Sequence, residues 1–166
     1  MYTLTQLNAM DRGAFTDALG IVFEDTPTIA SQAWEDLPFL TITHLHQAMV
    51  DIVNDWSLEA KKSLICAHPS LGNRVKMAEA SMSEQSSIGL DRLTAAEYDL
   101  FQSLNKAYLD RFGFPFIIAV RNHSKSSTLE AFERRLQNSS ETELNQSIAE
   151  IAQIASFRLQ DLIQTL

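Results

Sequence analysis

His68, Glu84 and Arg158 are the residues whose types suit proton transfer and anion binding. Pro69 steers the residue before it out of the helical region, so His68 is expected in a loop at the end of a segment. From His68 to Leu90 the chain reads HPSLGNRVKMAEASMSEQSSIGL, with Ser81, Glu84 and Gln85 a short distance on. A loop histidine facing a helix start that carries a hydroxyl, a carboxylate and an amide would make a proton-transfer site. The plainer readings are a histidine bonded to a carbonyl and a capping box formed by Ser81 and Glu84. The polar run Gln85-Ser86-Ser87 is the discriminating feature, because polar groups at a helix start suit anion or amide recognition.

Arg158 lies in the last helical stretch. At about 100° per residue, Leu144, Ile148, Ile151, Ala155, Leu159 and Leu162 form one apolar stripe. Arg158 falls at the edge of that stripe, while Gln146, Glu150, Gln153 and Gln160 lie well outside it. A guanidinium on a core-facing side needs an anionic partner. The alternative is a salt bridge to Asp161 with the stem snorkelling to the surface, which the wheel alone slightly favours.

Metal and nucleophile chemistry find less support. His44 and His46 diverge on a helix, and Cys66 with His68 is too small a set for structural zinc, so no metal site is expected. Cys66 is expected to be a buried, inert thiol. No phosphate-cradling glycine loop is present, so any chemistry should be cofactor-free.

The elements that must position these groups are helical. Asp11 to Asp25 carries Phe15, Ala18, Leu19, Val22 and Phe23 at helical spacing. Thr26-Pro27 should open a second helix, Thr43 a third and Ser57 a fourth that ends before Pro69. Four Ser/Thr-x-x-Glu patterns, starting at Ser81, Thr94, Ser127 and Ser140, predict helix starts with capping boxes. Thr94 begins a long helix closed by Gly113. Phe114 to Val120 is the one strand-like segment, expected as buried extended backbone whose peptide groups need partners other than a sheet.

With 166 residues, 45% of them hydrophobic, one domain with a real core is the simplest organisation. Only 5 Gly and 4 Pro interrupt it, which implies few loops and long elements. The net charge of -8 comes without any basic stripe, so neither nucleic acid nor an anionic membrane is an expected partner. A single cysteine, no signal-peptide pattern at the N-terminus and no long apolar run fit a cytoplasmic, soluble protein.

Four motifs in order carry a family resemblance. They are His68-Pro69-x-Leu71-Gly72; Ser81-x-x-Glu84-Gln85-x-x-x-Gly89-Leu90; Phe112-Gly113-Phe114-Pro115-Phe116-Ile117-Ile118; and Arg158-Leu159. Together they resemble the OHCU decarboxylase family. Phe23-Glu24, Ala33-Trp34 and Pro38-Phe39 extend the resemblance over essentially the whole chain. Ser70 and Ile88 depart mildly from the family pattern.

The resemblance implies an all-α fold, a compact single-domain helical bundle over residues 1–166 with one short buried extended segment. It also implies a homodimer with no metal or organic cofactor. The implied reaction is decarboxylation of 2-oxo-4-hydroxy-4-carboxy-5-ureidoimidazoline to (S)-allantoin, the last step of urate oxidation. His68 would then be the catalytic acid/base, with Glu84 and Arg158 as its partners. Pro69, Ser81, Met82, Ser83, Glu84, Gln85, Phe116, Ile117, Ile118, Ala119 and Val120 would contact the small-molecule substrate. The competing readings are a non-enzymatic helical interaction module using the 81–90 stretch, and a hydrolase acting on a related ureide.

Overall fold

Short polar side chains start most of the helices by taking the N–H groups that a first turn leaves free. In the computed structural model, which describes residues 1–72 and 79–164, Thr3 caps α1 (Leu4–Asn8) and Asp11 caps α2 (Arg12–Leu19). Next come α3 (Thr28–Ala33), α4 (Ile42–Asn54) and α5 (Leu58–Ala67). They are followed by α6 (Glu79–Ser87), α7 (Ala95–Phe112), α8 (Lys125–Arg135) and α9 (Ser140–Leu162). Two 3-10 turns, Trp34–Asp36 and Val120–Asn122, complete the set. The fold is all-α, and among the described residues the one β-type pairing is an isolated parallel bridge between Tyr2 and Ile163.

Several boundaries differ from those expected. The stripe from Phe15 to Phe23 is buried throughout, but the helix stops at Leu19; Gly20 ends it, and Asp25 takes a left-handed φ of 44°. Thr26 does not cap α3: its hydroxyl donates to the Glu24 carbonyl, and α3 starts at Thr28. Thr41, not Thr43, caps α4. Of the four expected capping boxes only Thr94 with Glu97 forms, and there the Lys125 ammonium, bonded to Glu97, holds that carboxyl below its usual range. Ser81 lies inside α6, the α8 box is Ser124 with Ser127, and Ser139 accepts from Thr142 at the start of α9. Elements are also shorter than the scarcity of Gly and Pro implies, because Ser, Thr, Asp and Asn supply the punctuation.

The chain divides into two compact units, one of Met1–Ala67 with Ala152–Leu166 and the other of His68–Ile151. In the first, α2, α3 and α4 pack together around Phe15, Leu19, Ile29, Leu45 and Met49. Phe15 stacks on Phe39, whose backbone is held at both its N–H and its C=O by the Asn8 amide at 2.8 Å. The chain ends meet here: the Tyr2 N–H donates to the Leu162 carbonyl at 2.7 Å, and the Gln164 N–H to the Tyr2 carbonyl at 2.8 Å.

The second unit is built on an aromatic cluster of Tyr108, Phe112, Phe114, Phe116 and Phe132, with Phe116 and Phe132 stacked at 3.8 Å. Gly113 closes α7 at φ 76°, which lets the chain turn back as 114–120. That segment forms neither helix nor strand before Val120, and it is buried as expected. The Tyr108 hydroxyl donates to the Glu143 carboxylate inside the cluster. Burial, reinforced by that carboxylate, pushes the phenol well above the usual tyrosine range.

A raised phenol stabilises the fold fully below the unfolded value of about 10 and progressively less as pH rises above it. The Tyr108 phenolate absorbance should therefore appear only as the protein unfolds in alkali. Tyr108→Phe should remove that step from a spectrophotometric titration. A Tyr108 signal that rises at the normal tyrosine position with the fold intact would contradict this.

Candidate active site

His68 directly follows α5 and is 7% exposed, at the head of a turn that runs to Gly72. Pro69 lies beside it, half-buried. Two side chains fix the turn. Asn105 of α7 donates to the Leu71 carbonyl at 2.8 Å, and Gln85 of α6 accepts the Gly72 N–H at 3.0 Å. Gly72 has a φ of 64°, and a Cβ there would come within 2.8 Å of Leu93, so no other residue fits without rearrangement. Gln85 thereby ties the histidine turn to α6. Residues 73–78, in the middle of the His68–Leu90 stretch, lie outside the described residues.

α6 inverts the usual helix. Its buried residues are Ser81, Glu84 and Gln85, an i, i+3, i+4 set that is polar throughout. Inward polar side chains cost free energy unless something bonds them, so an inward polar face on a soluble helix marks either an internal network or a ligand site. The capping-box reading of Ser81 and Glu84 does not hold, since both lie within the helix. Met82, 49% exposed, and Ser83 lie on the outward side.

The 3-10 turn beginning at Val120 packs against α6 and brings the end of the 116–120 segment to the same helix. Phe116, Ile117, Ile118, Ala119 and Val120 are all buried. Two of their peptide groups are taken by protein side chains. Arg135 of α8 donates to the Ile117 carbonyl at 2.6 Å, and Glu150 of α9 accepts the Ala119 N–H at 2.8 Å. The second unit thus gathers three of the sequence stretches, the histidine turn, α6 and the 116–120 segment, around α6.

Arg158 belongs to the first unit. It is 4% exposed, so its stem does not snorkel to the surface as the salt-bridge reading required. Its Nη1 donates to Glu24 Oε2 at 2.9 Å and to the Ile21 carbonyl at 3.2 Å. α2 ends at Leu19, which leaves the Ile21 carbonyl outside the helix as an acceptor, and Glu24 is buried along with Val22 and Phe23. The buried face of α9 runs Glu143, Leu144, Ser147, Ile151, Ile154, Ala155, Arg158 and Leu159. Ile148 and Leu162, expected on it, are half-buried instead.

Sequence reasoning missed the acidic members of these arrangements. Glu143, read as a cap, is fully buried and pairs with Arg135 at 2.9 Å, with Asn138 donating to it at 2.8 Å. Glu150 lies well outside the apolar stripe, yet it accepts the buried Ala119 N–H at 2.8 Å. A wheel phased on every residue rather than on apolar ones would have put Glu143 and Arg158 on the same seam as Ile151 and Ile154. Cys66, expected buried, is exposed, because Leu64 and Ile65 take the inward side of α5. Among the described residues no group of three or more His, Cys, Asp or Glu side chains is arranged for a metal ion, and no helix is long and apolar enough to cross a membrane.

An inward polar helix face beside a buried histidine suits a polar ligand better than a partner helix, which docks in an apolar groove. The profile of the OHCU decarboxylase family matches residues 8–160, and the chain belongs to that family. It is 42% identical to the 2-oxo-4-hydroxy-4-carboxy-5-ureidoimidazoline decarboxylase of Halalkalicoccus jeotgali, over 96% of this chain and 91% of that protein. It is also 42% identical to the uric acid degradation bifunctional protein of Bacillus subtilis, covering 98% of this chain and 33% of that one. A crystal structure of (S)-allantoin synthase superposes with a TM-score of 0.82 at 33% identity, over 99% of this chain and 55% of that chain.

Proposed function

We propose that this protein decarboxylates 2-oxo-4-hydroxy-4-carboxy-5-ureidoimidazoline to (S)-allantoin, the last step of urate oxidation in purine catabolism. The inward polar face of α6, joined through Gln85 to the turn that bears His68, is the observation that carries this reading within the family. The family profile spans residues of both compact units, which supports treating 1–166 as one functional domain.

The substrate explains how so little apparatus suffices. Its departing carboxylate is β to a ring imine, so the electron pair of the breaking carbon–carbon bond flows into the ring and the imine nitrogen takes up the charge. That is the electron sink that pyridoxal or thiamine supplies elsewhere. The protein has to hold the carboxylate out of the ring plane, stabilise the enol-like intermediate and protonate one face. His68 delivers the proton, since an imidazole exchanges protons readily near neutral pH. Glu84 orients His68 or accepts from the substrate hydroxyl. Arg158 binds an anionic or carbonyl oxygen that gains charge as the carboxylate leaves. Pro69, the inward Ser81, Glu84 and Gln85 of α6, and Phe116 to Val120 surround the ureido group and ring.

The protein works as a cytoplasmic homodimer in this reading, supported by the family's usual assembly and by the single, exposed Cys66. The test of function is circular dichroism of allantoin formed from urate by urate oxidase and hydroxyisourate hydrolase, with and without this protein. A fast, dextrorotatory signal is expected. Slow racemic product at the uncatalysed rate from a folded sample would overturn the assignment.

A further inference from the structure

The extended 114–120 segment has no sheet to hold it, yet a site built on it needs a fixed backbone. Its restraint comes from two side chains acting on consecutive peptide groups, one on each side of Ile118. Arg135 takes the Ile117 carbonyl and lies 4.4 Å over the Phe116 ring, and Glu150 takes the Ala119 N–H. Ala119 is 1% exposed, so if the carboxylate goes its N–H has no acceptor in place and the segment must open or shift to find one. The second oxygen of Glu150 accepts from Gln146, one turn earlier on α9, at 2.9 Å. That bond fixes the carboxylate's orientation, so it is aimed at Ala119 before substrate arrives. Directly beyond lies the 3-10 turn that packs on α6.

We propose that Glu150 is a positioning residue: by taking the Ala119 N–H from behind, it sets the backbone shape that Phe116–Val120 offers to the substrate. This rests on the reading of that segment as substrate-contacting. Arg135 acts on the same segment but is also paired with Glu143 inside the aromatic cluster, so removing it would damage the core as well. Glu150 is half-buried and outside that cluster, which makes it the separable member.

Three variants read the role through the split between KM and kcat, with substrate generated in situ from urate. Glu150→Ala should raise KM about 5- to 20-fold, in keeping with an amide left without its acceptor, and leave kcat within a few-fold. Glu150→Asp keeps the charge on a stem one methylene shorter and should behave like Glu150→Ala. Glu150→Gln keeps an acceptor oxygen at full length, and Gln146 can turn its own amide to match, so its KM should stay close to that of the unaltered protein. Loss of the Ala119 amide's protection from hydrogen exchange in Glu150→Ala, but not in Glu150→Gln, is the second readout. An unchanged KM in Glu150→Ala, or equal loss in the Ala and Gln variants, would overturn the proposal. If the unaltered protein itself forms no allantoin above background, the proposed function fails instead.

Discussion

His68→Ala should lower the rate of allantoin formation by about 10²–10⁴-fold, the usual worth of a positioned acid or base, while the protein still folds. His68 is buried at the start of a turn whose shape depends on Gly72, Gln85 and Asn105, none of which the substitution touches. Loss of the imidazole therefore removes proton delivery without dismantling the turn. The product should change as well as the rate. Without a proton delivered to one face, allantoin formed in the presence of the variant should tend towards the racemic mixture of the spontaneous reaction. Circular dichroism reads both effects in one trace. His68→Ala protein that retains the full rate and full optical activity would remove His68 from the mechanism.

Arg158→Ala should have the largest effect on the fold and the site together. The Glu24 carboxylate, 3% exposed, would lose a guanidinium partner at 2.9 Å, and breaking a buried pair from one side costs about 3–5 kcal/mol. Lower stability alone does not distinguish a structural arginine from a substrate-binding one, but the paired variant does. Glu24→Met combined with Arg158→Met removes both charges and fills the space, which is often near neutral for stability. The double variant should recover most of the lost melting temperature and none of the activity. Recovery of both would make Arg158 structural and leave the substrate oxygen to other donors.

Periodicity carried the all-α fold and the burial of Phe15 to Phe23 and of Phe114 to Val120, because burial follows the spacing of apolar residues whatever the exact helix ends. It failed where a side chain's partner is distant in sequence. Glu143 looks like a cap because Ser140 precedes it by three residues, yet Arg135 and the Tyr108 hydroxyl claim it. Thr26 looks like a cap before Pro27, yet it bonds backwards to Glu24. His68, Ser81, Glu84, Gln85 and Arg158 stood out in the sequence by residue type and position. Glu24 stood out only as half of the Phe23-Glu24 motif and Glu150 not at all, and neither showed that it holds Arg158 or Ala119: an exposed glutamate and one that bonds a group remote in sequence look alike until the fold supplies the partner.

The pairing of Tyr2 with the end of α9 makes the first residues a clasp. Tyr2 bonds on either side of Ile163, and the Ile163 N–H in turn donates to the Leu159 carbonyl at 3.0 Å, one residue beyond Arg158. Helix ends fray unless something ties them down, and here the tie comes from the opposite end of the chain. An affinity tag or a trimmed N-terminus that pulled Tyr2 away would loosen the last turn of α9 and, with it, the seat of the arginine. An alteration at residue 2 is in effect an alteration near residue 158.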